Sequence, residues 1–152
     1  MNHAIKALVL ALFCTLPGLA TAADEDPDKA AAHTRHALME LMGWNMKTVV
    51  AMSTGKQEFS AEAAVIQGER LAQLGAMIGD AFARDTSAAD VKTAALPAVW
   101  ENPADFATKT QALIDSATAY AEAAAGGAGP ARKAFIQVGG SCKGCHEDYK
   151  AE

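Results

Sequence analysis

The chain has 152 residues, and its 13 lysines and arginines against 18 aspartates and glutamates give a formal net charge of −5 at pH 7. This acidic balance argues against nucleic acid as a partner. The length predicts one domain with room for a single hydrophobic core.

Residues 1–22 have the composition of a secretory signal peptide. A charged head containing Lys6 precedes an apolar run at residues 7–16, and small residues at 20–22 form a cleavage site. The apolar run is too short to span a membrane, so we expect no membrane span after cleavage. Cleavage would leave a mature domain at residues 23–152, with 12 basic and 18 acidic residues and a net charge of −6. We therefore predict export to the periplasm.

Apolar residues recur at helical spacing through the first half of the mature chain and predict two helices. The first ends near Thr54 and Gly55, and the second runs from the N-cap candidate Ser60 to Arg84. A long connection at residues 85–101 follows. The apolar positions that define the two helices are Leu38, Leu41, Met42, Met46 and Val49, then Val65, Leu71, Leu74, Ile78 and Phe82.

Two more helices are predicted in the second half. Asn102 and Pro103 mark the start of the third, because asparagine caps helices and proline suits the first helical position. Residues 126–130, Gly-Gly-Ala-Gly-Pro, stop this helix and start the fourth. Four helices of about 20 to 25 residues would each measure roughly 30 to 37 Å. We therefore predict an all-α fold, an antiparallel four-helix bundle.

Residues 142–146 read Cys-Lys-Gly-Cys-His, the C-x-x-C-H signature of c-type haem attachment. Residues three and four apart share a helix face, so Cys142, Cys145 and His146 can reach one flat ligand. The two thiols can add to the haem vinyl groups while the imidazole reaches the iron. Cys14 lies in the predicted signal peptide and is expected to be lost. The sequence thus predicts one haem c, covalently bound through two thioethers, on the core face of the fourth helix.

Two other uses of paired cysteines fit the sequence less well. A structural zinc site commonly takes four ligands from two such pairs, and the sequence has no second pair. A thioredoxin-type pair begins a helix after a strand, whereas this pair lies near the end of a helical pattern. The sequence also shows no nucleophile with a paired base, so we expect no enzyme. A haem-free helical interaction protein is the remaining alternative, if the motif is accidental.

The mature sequence resembles cytochrome c prime and its low-spin relatives, the class II cytochromes c, over nearly its whole length. The matching segments are residues 138–150, residues 96–100 with Phe106, and Arg35, Met39 and residues 43–46. The resemblance implies a haem near one end of a four-helix bundle, attached to the last helix. It also implies a homodimer formed through the first two helices.

The resemblance assigns roles to individual residues. The two cysteines of the motif are the thioether anchors, and His146 is the proximal iron ligand. Arg35 matches a position that holds a haem propionate, and Lys150 matches the basic residue after the family's haem motif. Since Arg35 and Met39 are four residues apart, one can approach the propionate edge while the other faces the iron. A solvated arginine and a solvated chain-end lysine are the alternatives.

Met39 matches the residue that the family places over the open face of the haem, and two functions follow. If its sulfur binds the iron, the haem is six-coordinate and low-spin, as in electron-carrying cytochromes c. If it does not, five-coordinate iron can bind nitric oxide or carbon monoxide. Arg35 resembles the five-coordinate pattern, whereas residues 38–40 and 45–46 resemble the low-spin relatives. Electron transfer with redox partner proteins is the predicted function, with gas binding as the alternative.

Other side chains are weaker candidates for a haem role. His33 and His36 could supply a second iron ligand, although exposed histidines are expected there. Core packing is expected for Met42, Met46, Trp44, Trp100 and Phe106. Trp44 is also a candidate for a dimer contact. A basic rim that would suit an acidic redox partner comprises Arg132, Lys133, Lys143 and Lys150.

Overall fold

The computed structural model describes residues 25–152, and the predicted signal peptide and its cleavage site lie outside them. Four long helices and two short ones follow in order: α1 (Pro27–Ser53), α2 (Ala61–Ala76), α3 (Ile78–Ala81), α4 (Ala98–Glu101), α5 (Pro103–Ala125) and α6 (Ala128–Tyr149). The described residues form no strand beyond an isolated antiparallel bridge between Ala95 and Lys150. Within them, no helix combines the length and apolar character needed to cross a membrane. The predicted all-α four-helix bundle is confirmed.

The boundaries of the long helices agree with the sequence except at the end of α2, and the short helix α4 lies inside the stretch predicted as a connection, residues 85–101. Ser60 caps α2 as predicted, because its hydroxyl accepts a hydrogen bond from the Ala63 N–H at 3.2 Å. The predicted continuation to Arg84 is wrong. A tight turn at Met77 interrupts the helix, leaving Met77 55% exposed while Ile78 enters the core. The backbone N–H of Met77 bonds to the Leu74 carbonyl at 3.1 Å, which closes this turn.

Helix α5 begins at Pro103, as predicted. Asn102 occupies the capping position, but its side chain makes no capping hydrogen bond to α5. Its amide instead donates to the Ala98 carbonyl at 3.4 Å. The sequence therefore located this helix start correctly while assigning Asn102 the wrong partner.

Two glycines on α2 allow it to pack closely on α5. A Cβ atom on Gly68 would lie 2.9 Å from both the Cβ and the backbone nitrogen of Ala121, and one on Gly75 would lie 2.9 Å from Cγ1 of Ile114. The later glycine on α2 thus meets the earlier residue on α5, which shows that the two helices are antiparallel. Without a side chain at these positions, the backbones approach at a distance that alanine would not permit.

The two faces of α1 have different environments. Met42 is buried and Met46 packs against the core, so both are core residues as predicted. Trp100 and Phe106 also pack in the core. The expected core packing of Trp44 is wrong, since its side chain is 60% exposed. Two residues after Met42, Trp44 lies about 200° around the helix and therefore on the opposite face.

The close contact at Gly68 can be tested by adding one methyl group. Gly68→Ala should lower the free energy of unfolding by about 1 to 3 kcal/mol, because overpacking against Ala121 outweighs the gain in helix propensity. Urea unfolding of the haem-loaded protein, followed by circular dichroism, measures this change.

Gly43→Ala is the matched control, because a Cβ on Gly43 in the middle of α1 would have no neighbour within 4 Å. It should stabilise the protein by about 0.5 to 1 kcal/mol through the lower backbone entropy of alanine. Equal effects of the two substitutions would contradict the close approach of α2 and α5.

Candidate functional site

The residues of the C-x-x-C-H motif lie on the last turns of α6. Cys142 and Cys145 are partly buried, pack against the core and form no disulfide within the described chain. His146 is exposed, because it lies one residue further around the helix than Cys145. The predicted core-facing position is therefore correct for the two cysteines and wrong for the histidine.

The environment of the motif shifts the pKa of its three titratable side chains, Cys142, Cys145 and His146. Burial raises the pKa of both thiols, although the ammonium of Lys109 opposes this effect at Cys145. Although His146 is exposed on its outer side, partial desolvation of the imidazole, with a smaller contribution from the charge of Lys150, lowers its pKa. A lowered pKa favours the neutral imidazole, and the neutral form is the one that donates a lone pair to a metal.

Arg35 is buried in a pocket of loop carbonyl, hydroxyl and aromatic groups. Its side chain is only 2% exposed. One terminal nitrogen donates to the Arg84 carbonyl at 3.3 Å, and the other donates to Oγ1 of Thr86 at 2.6 Å. The guanidinium carbon lies 5.6 Å from the ring centroid of Phe82 and 5.3 Å from that of Trp100. The alternative of a solvated surface arginine is therefore wrong.

The buried charge of Arg35 has no directly bound counter-ion among residues 25–152. Its Nε atom has no hydrogen-bond partner there, and the nearby carboxylate of Asp28 pairs with Arg84 instead. Burial lowers the pKa of Arg35, and the charge of Asp28 partly opposes this shift. Since a buried cation is costly without an anionic partner, this position suits a carboxylate-bearing ligand. The residues present thus fit a haem, whose propionates are such groups.

Aromatic contacts join Arg35 to the end of α6. The rings of Phe82 and Phe106 have centroids 5.1 Å apart, and Phe106 meets Tyr149 edge-on, also at 5.1 Å. The indole nitrogen of Trp100 donates to the Phe82 carbonyl at 2.9 Å and so fixes the connection before α5. Because Tyr149 lies three residues after the histidine of the motif, the arginine and the motif lie at the same end of the bundle.

Met39 lies one turn after Arg35 on the inward side of α1. It is partly buried and packs against the core cluster. Its sulfur is thus at the same end of the bundle as the buried guanidinium.

The other predicted candidates lie on the surface. His33 and His36 are exposed and pair with Glu25 at 2.8 Å and Glu40 at 3.3 Å, as expected for surface histidines. Lys150 is exposed and its ammonium donates to the Ala151 carbonyl at 3.2 Å. All other members of the predicted basic rim are exposed as well: Arg132, Lys133 and Lys143.

A polar cluster beside the motif was not predicted from the sequence. The ammonium of Lys109 on α5 donates to the Gly144 carbonyl at 3.0 Å and to the Asp148 carboxylate at 2.5 Å. The Tyr149 hydroxyl donates to Asp105 at 2.6 Å. The spacing of Asp105 and Lys109 by four residues indicated an ion pair within α5. Nothing in the sequence indicated that α6 would supply the other partners.

A family model described as Cytochrome C′ matches residues 30–150 of this chain. The chain belongs to the cytochrome c′ family. It is 34% identical to cytochrome c′ of Allochromatium vinosum over 157 residues, covering 100% of both chains. It is 32% identical to cytochrome c′ of Cereibacter sphaeroides over 149 residues, covering 97% of this chain and 98% of the relative. Haem binding follows from this membership, as the site geometry indicates.

Solved cytochromes c′ share the fold. The structure from Shewanella frigidimarina aligns with a TM-score of 0.75 at 32% identity, covering 84% of this chain and 98% of the other. A cytochrome c′ described as showing ligand-controlled dimer dissociation aligns at 0.73 and 31% identity, with coverages of 82% and 97%. A nitric oxide complex of a cytochrome c prime variant from Alcaligenes xylosoxidans aligns with a TM-score of 0.73 at 29% identity, covering 82% of this chain and 97% of the other.

The hydrogen bond between Tyr149 and Asp105 makes stability depend on pH. This bond raises the pKa of Tyr149 to about 12. Because the raised value belongs to the folded state, the stabilisation is complete below pH 10 and is lost as the pH rises through about 12. Urea unfolding measures the free energy of unfolding of wild type and of Tyr149→Phe at pH 9 and at pH 11. The difference in favour of wild type should be smaller at pH 11.

Asp105→Asn is the control for this pH effect, since it keeps the phenol and removes the negative charge that raises its pKa. Its stability should fall less than that of wild type between the two pH values. An advantage of wild type over Tyr149→Phe that is unchanged at pH 11 would contradict the role of the carboxylate.

Proposed function

We propose that this protein is a periplasmic, mono-haem c-type cytochrome that transfers electrons and turns over no substrate. The observation that carries the proposal is the arrangement of Cys142, Cys145 and His146 at the end of α6. The two thiols lie against the core one turn apart, and the imidazole of His146 follows Cys145 directly on α6. Bound haem supplies a one-electron couple between ferric and ferrous iron.

The chain's own residues hold the haem in this proposal. Cys142 and Cys145 would hold the haem covalently, each thiol adding across a vinyl group so that a carbon–sulfur bond forms and the thiol proton passes to carbon. His146 would supply an imidazole nitrogen to the iron. Arg35, buried and without a directly bound carboxylate among the described residues, would pair with a propionate. Lys150 contributes positive charge near the imidazole.

Export supports the same proposal. The signal-peptide pattern at residues 1–22 would deliver the chain to the compartment in which bacteria attach haem to such motifs. The negative charge of the domain is interrupted on α6, where all three charged residues between positions 128 and 146 are positive: Arg132, Lys133 and Lys143. Such a surface suits an acidic redox partner.

Binding of a diatomic gas is the second candidate function. The nitric oxide complex of the Alcaligenes xylosoxidans relative favours it, because that protein shares this fold. Met39 decides between the two functions. A sulfur bonded to iron fills the sixth position and favours electron transfer, whereas a sulfur that only packs beside the iron leaves the position open to a small gas.

Replacing Met39 should distinguish these functions. The intact mass of wild type from a host that matures c-type cytochromes should exceed that of the polypeptide by one haem. If Met39 ligates the iron, the ferric protein has a far-red sulfur-to-iron charge-transfer band. Met39→Ala should then abolish this band and allow carbon monoxide to bind the ferrous form. Visible absorption spectra record both changes.

Met46→Ala is the control, because Met46 is a core methionine two turns further along α1. It should leave the spectrum unchanged. High-spin spectra in wild type, with carbon monoxide binding before any substitution, would instead establish the open site and gas binding. A wild-type mass equal to that of the polypeptide alone would refute haem attachment and with it both functions.

A homodimer through α1 and α2 completes the proposal. Leu41, Trp44 and Met77 are each more than half exposed and line a groove of about 250 Å³ between these helices. Asn45 also lines the groove, and its buried Oδ1 has no hydrogen-bond partner among the described residues. A second copy would cover the apolar side chains. The relative with ligand-controlled dimer dissociation supports this assignment.

Trp44→Glu should convert the dimer to a monomer, because it places a charge in the centre of the apolar contact. Analytical ultracentrifugation of the haem-loaded protein measures the change, and we expect the dissociation constant to rise at least about a hundredfold. Ile136→Glu is the control, since Ile136 is 66% exposed on α6, away from this groove. A dimer that persists in Trp44→Glu would contradict the assigned interface.

A further inference from the structure

Lys109 holds the backbone of the motif from the neighbouring helix. Its ammonium donates to the carbonyl of Gly144, the residue between the lysine and second cysteine of C-x-x-C-H, at 3.0 Å. It also lies 2.5 Å from a carboxylate oxygen of Asp148 and 4.0 Å from one of Asp105. The side chain is 27% exposed, which limits its freedom to leave this position. The contact thus connects α5 directly to the turn that carries the thiols.

The position of the ammonium is electrostatically favourable for α6. The last four carbonyls of α6, at residues 146–149, carry a partial negative charge, and the Gly144 carbonyl lies just before them along the helix. The ammonium also lies 6.0 Å from the centroid of the Tyr149 ring. Lys109 therefore neutralises a region that would otherwise contain two carboxylates and the negative end of a helix.

Haem attachment at Cys142 and Cys145 would place the iron close to this cluster. Ferric iron carries one more positive charge than ferrous iron, so a nearby cation disfavours the oxidised form and a nearby carboxylate favours it. This cluster combines the ammonium of Lys109 with the carboxylates of Asp105 and Asp148, and Lys150 adds a second positive charge near His146.

We propose that Lys109 is a positioning residue for the haem-attachment turn and that its charge raises the reduction potential of the haem. The inference rests on the covalent haem of the proposed function. Lys109 acts through the carbonyl of Gly144 and the charge that it places beside Cys145, and it does not bind the iron. Asp148 has the opposite effect on the potential, because it lies in the same cluster with the opposite charge.

Equilibrium redox titration of haem-loaded variants tests this inference. Lys109→Gln should lower the midpoint potential, so that the ratio of reduced to oxidised protein at a fixed ambient potential falls by about threefold or more. Lys109→Arg keeps the charge and should stay within about twofold of wild type. Asp148→Asn should shift the ratio upward while leaving the contact between Lys109 and Gly144 in place.

Lys56→Gln is the matched control for loss of one positive charge. Lys56 is exposed just beyond the end of α1, about 30 Å along the bundle from the level of Arg35. Because this distance exceeds the screening length of ordinary buffers, Lys56→Gln should leave the ratio of reduced to oxidised protein within about twofold of wild type. A Lys109→Gln variant that is less stable but titrates like Lys56→Gln would overturn the electrostatic role. If Lys109→Gln does not acquire haem, the Asp148→Asn variant provides the test. A midpoint potential of Asp148→Asn equal to that of wild type would overturn the electrostatic role of this cluster.

These outcomes are separate from a failure of the proposed function. Intact mass of wild type reports haem attachment independently of any potential. A wild type that carries covalent haem but shows no shift in the Lys109 and Asp148 variants would contradict this inference alone.

Discussion

The burial of Arg35 is the constraint on which the haem end of the bundle depends. A guanidinium that is 2% exposed, between the rings of Phe82 and Trp100, gives up most of its hydration. The Arg84 carbonyl and the Thr86 hydroxyl satisfy its terminal nitrogens, but within the described chain Nε has no partner. Full compensation needs an anion, and under the proposed function a haem propionate supplies it.

The segment between α2 and α5 forms this environment around the arginine. It breaks the second long helix at Met77 and returns Phe82 to the core. It then presents Thr86 to the guanidinium and pairs with the chain end through the bridge between Ala95 and Lys150. Beyond the end of α3 at Ala81 the chain is irregular, and the Arg84 carbonyl and the Thr86 hydroxyl accept hydrogen bonds from Arg35 there. The irregular connection is therefore part of the site.

The long helices divide the remaining roles between their faces. On α1, the inward face carries Arg35 and Met39 towards the site, while the outward face exposes Trp44 beside α2. On α6, the partly buried cysteines face the bundle and Lys109 of α5 holds the intervening turn. Glycine at position 68 lets α2 and α5 approach closely, which keeps the bundle compact away from the haem end.

The sequence by itself determined the helical bundle, the C-x-x-C-H motif and the start of α5, because helical periodicity, capping residues and motif spacing are local properties. The family resemblance added Arg35 and Met39 as site residues. Only the tertiary structure decided the break at Met77, the exposure of Trp44 and the contact of Lys109 with Gly144. These features depend on which face of a helix meets a neighbour and on partners tens of residues apart. A local pattern in the sequence carries no information about such distant partners.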